Sequence, residues 1–488
     1  MPISDHPKAY GTAALTAAFA VGIAATLGFQ DFYPYWERRY GRRKRGGDVT
    51  GYGDGFNDFQ SKTTLLERQH AARRRRSTLL SSIGAGPVLL QDHESDPGDN
   101  PGPSQPDIRD GIEACIGNTP MIKIRSLSEA TGCTILAKAE FLNGAGGSPK
   151  DRVALNMILT AEETGHLVPG RGDTIYEGTV GSTGISLAML ARARGYRCHI
   201  CMPDDVAREK SDLLLHLGAT VERVPVAPIT DKRHFVNLAR TRAEAHTAAA
   251  DDDSVGFFAG QFENPANWQA HWNSTGPEII EQTGGRVDAF VAGAGTGGTI
   301  AGVAVFLKEE ARMNATRVVL ADPQGSGLYN KVLNGVMYSP SEREGTRRRQ
   351  QVDSVVEGIG LKWVTGNFER GRDLVDDAVR VTDEQACAMA RWLVEHDGIF
   401  AGSSSAVNCA AAVVTAMRMP RGSQVVTILC DSGSRHLSRF YKQVADKGLE
   451  GDVRKEGAEG GEKPSSPEDL LTLLGLKPRD DSHQLGTP

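Results

Sequence analysis

Residues 291–302, VAGAGTGGTIAG, contain five glycines between two apolar runs. The preceding RVDAF (286–290) is typical of a buried strand, and Ile300, Val303 and Leu307 recur at helical spacing after the turn. Glycines at such a turn let backbone N–H groups close around an anion, and the N-terminus of the following helix favours negative charge. The stretch therefore predicts a strand, a phosphate-binding turn and a helix.

Two kinds of phosphate ligand are compatible with this stretch. Gly293, Gly295 and Gly298 satisfy the dinucleotide-binding pattern G-x-G-x-x-G. Asp322 ends the next apolar run, TRVVLAD, about 20 residues further on, where a ribose-binding acid is expected. The same pattern recurs by chance in glycine-rich chains and does not show which phosphate is bound. The choice depends on the rest of the chain.

The composition is ordinary for a two-lobed enzyme with extensions. The chain has 488 residues, of which 24% are charged and 39% hydrophobic. A formal net charge of −6 does not support nucleic-acid binding. Seven cysteines, scattered from Cys115 to Cys430, fit a reducing compartment better than a disulfide framework. Cys198 and Cys201 have no second pair to complete a zinc site, so we predict that they pack in the core.

The first 45 residues are predicted to form a membrane anchor with a basic flank. Residues 9–30 carry no charge, which suffices for a helix of about 30 Å, and six basic residues follow within 38–45. Under the positive-inside rule the basic cluster keeps the following domain in the cytosol. Such a span resembles the anchors of the mitochondrial outer membrane. The alternatives are a processed presequence of a matrix enzyme and an anchor in another intracellular membrane.

Three further regions follow this anchor. Residues 46–107 are rich in Gly, Ser, Asp and Pro and are predicted to be a largely disordered linker, and 446–488 a polar tail. Between them, in residues 108–445, strand-like runs alternate with helical ones. This alternation predicts an α/β catalytic unit with parallel sheets, whose sites lie at the carboxyl ends of the strands.

A lysine stands at the start of a predicted helix in NGAGGSPKDRVALNMI (143–158). The charge of Lys150 opposes the positive end of the helix dipole, so a structural role explains it poorly. A lysine that forms an imine with a carbonyl cofactor loses this conflict, and the helix end can then face the anionic groups of the cofactor. Lys150 is therefore the predicted attachment point of a carbonyl cofactor.

Five motifs in order connect this lysine to the glycine-rich turn: GSPKDRVALNMI, TVGSTGISLA, GQFENPANWQAHWNSTGPEI, GAGTGGTIAG and LCDSGSRHLS. Through them, residues 111–441 resemble the pyridoxal-phosphate-dependent cysteine synthase (O-acetylserine sulfhydrylase) and cystathionine β-synthase family, and in particular its membrane-anchored fungal cysteine synthase 2-like branch. The resemblance implies fold type II, with two doubly wound α/β domains and pyridoxal 5′-phosphate in the cleft between them. It also implies a homodimer.

The resemblance assigns roles to individual residues. Lys150 is the implied Schiff-base lysine and catalytic base. The implied cofactor contacts, besides Lys150, are Ser182, Gly295, Thr296, Gly297, Gly298, Thr299 and Ser432, with 295–299 on the phosphate and Ser432 on the pyridine nitrogen. The implied substrate contacts are Thr179, Gly181, Thr183 and Gln261. No metal ligand is implied, and Asp322 becomes a strand-end residue.

The implied reaction converts O-acetyl-L-serine and sulfide to L-cysteine and acetate through an α-aminoacrylate. The loop TVGSTG departs from the usual T-S-G-N-T-G, since Val180 replaces a serine and Ser182 an asparagine. The insertion at 338–351 and GSSSAVN at 402–408 are further departures. Cystathionine formation, cysteine desulfuration, and a membrane-tethered protein that binds the cofactor without catalysis therefore remain alternatives.

Overall fold

The computed structural model describes residues 108–250, 252–338, 354–446 and 466–479. The predicted anchor at 9–30, its basic cluster, the linker 46–107 and residues 339–351 of the insertion lie outside the described residues. Within the described part of the chain, no helix combines the length and the apolar character needed to cross a bilayer.

Two β-sheets organise the described residues. The strands are β1 (Met121–Lys123), β2 (Thr134–Ala139), β3 (Thr174–Gly178), β4 (Arg197–Pro203), β5 (Thr220–Val224), β6 (Gly256–Phe258), β7 (Ala289–Gly293), β8 (Arg317–Pro323), β9 (Asp377–Val381) and β10 (Gln424–Leu429). The larger sheet has the order β1-β2-β10-β7-β8-β9, in which only the β1–β2 pair is antiparallel. The smaller sheet, β5-β4-β3-β6, is parallel throughout. The predicted α/β fold with parallel sheets is confirmed.

Helices connect the parallel strands. They are α1 (Arg125–Thr131), α2 (Lys150–Glu163), α3 (Ser182–Ala193), α4 (Arg208–His216), α5 (Phe235–Ala249), α6 (Ala266–Ala270), α7 (Gly276–Gln282), α8 (Gly298–Val305), α9 (Leu328–Asn334), α10 (Gly366–Gly371), α11 (Asp383–Asp397), α12 (Ser403–Met417), α13 (Lys442–Asp446) and α14 (Pro467–Leu473). A π-helical turn, His271–Thr275, joins α6 to α7. Another, Phe306–Glu310, extends α8.

The large sheet is buried on both faces. Val291 and Val319 belong to a core cluster with Val407 of α12, whereas Phe290 belongs to a second cluster with Ile300 of α8. Neighbouring residues of a strand point to opposite faces, so a strand covered on both sides needs a continuous apolar run. This requirement explains the sequence AFVAG in β7.

Part of the predicted polar tail packs on this core. Ser466 and Asp469 form a reciprocal capping box at the start of α14, and Leu470 and Leu471 are buried in the cluster of the large sheet. Arg479 then donates hydrogen bonds to the carbonyl oxygens of Ala416 and Met419, at 2.6 and 2.8 Å. Residues 466–479 therefore belong to the folded unit.

A buried ionic cluster joins β2, α2 and α7. Arg152 donates to Glu140 at 2.8 Å and to Glu278 at 2.6 Å, and Lys138 donates to Glu278 at 2.6 Å. Burial raises the pKa of the Glu140 carboxyl, but the charge of Arg152 and its hydrogen bonds outweigh this and hold that pKa at about 2. The cluster secures the first turn of α2, the helix that Lys150 begins.

Replacing Arg152 with Leu leaves two carboxylates buried with too little positive charge. We expect the free energy of unfolding, measured by urea denaturation, to fall by about 3–5 kcal/mol. The control Arg233→Ala removes an exposed pair with Asp231 and should cost about 0–1 kcal/mol. Because the folded-state pKa of Glu140 lies below its ordinary value of 4.5, its contribution is present above pH 4.5 and is lost as pH falls toward 2. A loss below about 1 kcal/mol for Arg152→Leu at pH 7 would contradict this role.

Candidate active site

The carboxyl ends of strands from both sheets line one cavity of about 490 Å³. Gly178 and Pro203 reach it from β3 and β4, and Gly293 and Ile428 from β7 and β10. Ligand sites of open parallel sheets lie at this end of the strands, because the connecting loops meet there. The predicted position of the site agrees with this geometry.

Lys150 is the first residue of α2 and lines the cavity. Burial lowers the pKa of its amine, and the nearby Cys430, Asp431 and Asp151 only partly oppose this effect. A lowered pKa supplies more of the neutral amine, the form that condenses with an aldehyde and accepts a proton.

The loop before Lys150 is held by a buried carboxylate. Asp151 accepts hydrogen bonds from the amide of Gly146 at 2.8 Å and from the hydroxyl of Ser186 in α3 at 2.6 Å. A longer bond from the amide of Ser148 completes the turn. These contacts fix the direction in which α2 begins.

The glycine-rich turn forms a cradle on the opposite lobe. Gly295, Thr296, Gly297 and Thr299 line the cavity, whereas Gly298 packs against Asn267. Gly297 caps α8 with φ +83°, a conformation that glycine adopts without strain. Backbone N–H groups at the start of α8, with the hydroxyls of two threonines, match the donors that a phosphate requires.

Both threonine hydroxyls have neighbours that set their position. The amide nitrogen of Asn267 donates to the Thr296 hydroxyl at 2.9 Å, and Thr299 Oγ1 lies 3.2 Å from His271 Nε2. Burial lowers the pKa of His271 to about 3, so the imidazole is neutral. Neither Asn267 nor His271 was recognised as part of the site from sequence, although both lie in the motif GQFENPANWQAHWNSTGPEI.

The loop from Thr179 to Thr183 lies at the N-terminus of α3 and lines the same cavity. Gly181 caps the helix and Ser182 is its first residue. The Thr183 hydroxyl donates to the side-chain oxygen of Gln261 at 2.6 Å, which joins two of the predicted substrate contacts. Val180 also lines the cavity and offers no side-chain donor.

A buried carboxylate that the motifs did not indicate supports this loop. The Glu177 side chain accepts from the amides of Gln261 and Gly178, each at 3.1 Å. Burial raises its pKa to about 7, although these hydrogen bonds lower it. Glu177 therefore fixes Gln261 against the end of β3.

Ser432, predicted to contact the pyridine nitrogen, caps a turn that follows β10. Its hydroxyl accepts from the amide of Ser434 at 3.3 Å and caps a short helical turn, and Ser432 does not line the cavity. Ser404, near the start of α12, does line the cavity and lies beside the thiol of Cys430. The signal for this residue was the serine run in GSSSAVN, which follows the short apolar run IFA (399–401) and begins a helix.

Asp322 does not line the cavity either. Its carboxylate accepts from the amide of Tyr329 at 2.7 Å, and burial raises its pKa to about 7. The acid that a dinucleotide would need is therefore engaged elsewhere. An amine for an aldehyde and a cradle for a single phosphate fit pyridoxal 5′-phosphate instead.

The fold and the site together define a pyridoxal-phosphate-dependent enzyme, and residues 112–431 match the family model "Pyridoxal-phosphate dependent enzyme". The chain is 65% identical over 477 residues to Cysteine synthase 2 of Neurospora crassa, which covers 98% of this chain and 99% of that protein. It is 54% identical over 351 residues to a putative mitochondrial cysteine synthase of Saccharomyces cerevisiae, covering 72% and 88%. The crystal structure of O-ureido-L-serine synthase is similar, with a TM-score of 0.59 and 32% identity over 72% of this chain and 98% of that chain. The chain belongs to the cysteine synthase family of fold-type II enzymes, and its cofactor is pyridoxal 5′-phosphate.

A methyl group at Gly297 tests the phosphate cradle. In Gly297→Ala the new Cβ would meet the Phe368 Cβ at 2.5 Å, so the turn must shift. Such overpacking costs about 1–3 kcal/mol, and we expect the affinity for pyridoxal 5′-phosphate, titrated by its visible absorption, to fall about tenfold or more. Gly285→Ala is the matched control, because Gly285 has a similar φ of +81° in open space. Equal affinities of the two variants would contradict the cradle.

Proposed function

We propose that this enzyme exchanges the acetoxy group of O-acetyl-L-serine for sulfide and releases L-cysteine and acetate. One observation carries the proposal: the Lys150 amine and the N-termini of α3 and α8 meet in a single cavity. Two helix N-termini provide for two anions, the cofactor phosphate and the substrate carboxylate. The names of relatives that match most of the chain support the same reaction.

The cofactor, when bound, supplies an electron-withdrawing ring that makes loss of the Cα proton and of the β-substituent possible. The residues of this chain supply position and proton transfer. We propose that Gly295, Thr296, Gly297 and Thr299 hold the phosphate, with Gly298 shaping the turn, and that Lys150 binds the aldehyde and moves the proton at Cα. Its lowered pKa suits this task, since a protonated lysine cannot accept a proton.

Residues 179–183 would hold the substrate carboxylate at the start of α3. Thr179, Gly181 and Thr183 line the cavity beside Gln261, and Ser182 begins the helix next to the cofactor position. Val180 weakens this set, because its side chain donates no hydrogen bond. This observation favours, as the second candidate, a β-replacement or β-elimination on another serine or cysteine derivative.

The reaction is tested on the cofactor-loaded enzyme by measuring L-cysteine from O-acetyl-L-serine and sulfide. We expect Lys150→Ala to lower turnover about 10²–10⁴-fold, the range of a positioned acid–base group. Borohydride should link the cofactor to Lys150 alone, as located by mass spectrometry of peptides. Lys123→Ala, an exposed lysine at the end of β1, is the control and should retain turnover. If borohydride labels Lys150 but no L-cysteine is formed, the proposed cofactor site is retained and O-acetyl-L-serine is rejected as the substrate.

We propose that Ser404, and not Ser432, contacts the ring nitrogen of the cofactor. Ser404 is 4% exposed and lines the cavity, whereas the Ser432 hydroxyl caps a neighbouring turn. Both hydroxyls are small, so their removal changes little else in the fold.

Ser404→Ala should shift the absorption maximum of the bound cofactor and lower turnover about tenfold, the effect of one lost hydrogen bond to the reacting system. Ser432→Ala should keep the absorption maximum of the native enzyme. A spectral shift in Ser432→Ala alone would restore the role that the motif implied.

We further propose that residues 9–30 anchor the enzyme in the mitochondrial outer membrane, with the catalytic unit in the cytosol. The uncharged span and its basic flank support an anchor with this orientation, and the name of the yeast relative supports mitochondria. On intact mitochondria, added protease should remove the catalytic unit; complete protection would favour the matrix. The homodimer that the family resemblance implies is tested by light scattering of the purified catalytic unit.

A further inference from the structure

The strand β4 separates two cysteines that are close in sequence. Cys198 and Ile200 lie in the core of the small sheet with residues of α2 and α3. His199 and Cys201 point to the opposite face, because side chains alternate along a strand. Cys198 and Cys201 therefore lie on opposite faces of the sheet and cannot bind one ion together. His199 and Cys201 share a face.

The neighbouring strand places a carboxylate beside these two side chains. In the register of β4 and β5, Cys201 is directly opposite Glu222. His199 Nε2 lies 3.3 Å from Glu222 Oε2, and Cys201 Sγ lies 3.9 Å from the same oxygen. One ligand atom from each residue lies within 4.8 Å of the others.

These separations suit a tetrahedral cation. Zn²⁺ bonds of about 2.0–2.1 Å to nitrogen, 2.3 Å to sulfur and 2.0–2.2 Å to oxygen place neighbouring ligand atoms about 3.4–3.6 Å apart. The two distances to Glu222 differ from these values by a few tenths of an ångström, and the His199–Cys201 separation, within 4.8 Å, must shorten by up to about 1.3 Å when the ion binds. Imidazole, thiolate and carboxylate are also the protein ligands that zinc uses.

The surroundings allow a cation to enter and hold one ligand in place. The thiol is buried, whereas the side chains of His199 and Glu222 are 19% and 27% exposed. Tyr176 stacks on the His199 ring at 5.0 Å between centroids, and its hydroxyl lies 3.0 Å from His246 Nδ1. The ring stacking therefore restricts the orientation of the imidazole.

We propose that His199, Cys201 and Glu222 form a Zn²⁺ site separate from the catalytic cavity, which none of the three lines. Binding replaces the S–H bond of Cys201 with a Zn–S bond, and the proton passes to solvent. No oxidant or reductant takes part. The site does not depend on the proposed reaction.

Arg242 competes with the metal for the carboxylate. Its guanidinium donates to both oxygens of Glu222, at 2.8 and 3.0 Å. The Arg242 side chain is 47% exposed, so it can move into solvent when a cation binds. An exposed pair of this kind is worth at most about 1 kcal/mol, which bounds the competition at about fivefold.

The test is a chelator-competition titration of the reduced, cofactor-loaded enzyme with Zn²⁺ alone, repeated with Co²⁺ to record thiolate-to-metal charge transfer. We expect one equivalent of metal and a charge-transfer band in the native enzyme. Cys201→Ser should lose both, and Cys198→Ser, the buried neighbour on the other face, should keep both. Arg242→Gln should bind up to about fivefold more tightly.

Glu222→Gln is a second test in case the buried Cys201→Ser variant does not fold. This substitution should leave the core intact, because Glu222 lies partly at the surface. Glu222→Gln should weaken zinc binding by at least about tenfold, since even the loss of a group that only hydrogen-bonds a metal ligand lowers metal affinity by that factor. Absence of stoichiometric zinc in the native enzyme would overturn the proposal. Loss of the charge-transfer band in Cys198→Ser with its retention in Cys201→Ser would also overturn it.

Discussion

The geometry of the site depends on the guanidinium of Arg152, buried two residues after Lys150, the proposed attachment point of the cofactor. It is shared between Glu140, which follows β2, and Glu278 of α7. An uncompensated charge at this depth costs several kcal/mol, so the three groups are stable only together. Their mutual position then determines where α2 begins, and α2 begins with Lys150.

Three helix N-termini serve the cavity in different ways. Those of α3 and α8 face it with the positive ends of their helix dipoles, which favour anions. At the third, of α2, the positive end of the helix and the burial of Lys150 both disfavour a charged amine. The helix ends of α3 and α8 thus lie in one cavity with an amine whose pKa burial lowers.

The motifs predicted those parts of the site that are contiguous in the chain. Lys150 and the turn from Gly295 to Thr299 could be located because a strand, a tight turn and a helix start place their residues by local geometry alone. The role predicted for Ser432 is not fixed by local geometry in this way. The chain turns after β10, so its hydroxyl caps that turn, while Ser404 reaches the cavity from a separate helix.

The sequence by itself determined the class of chemistry, since five ordered motifs, among them an amine at a helix start and a glycine-rich anion cradle, are short segments that together resemble one enzyme family. Tertiary structure alone decided that His271 is neutral and that Glu177 supports Gln261. It also decided that Glu222 of β5 lies beside His199 and Cys201 of β4. Each of these facts depends on strand register or on burial. Both arise from contacts between residues far apart in the chain, and no local pattern records them.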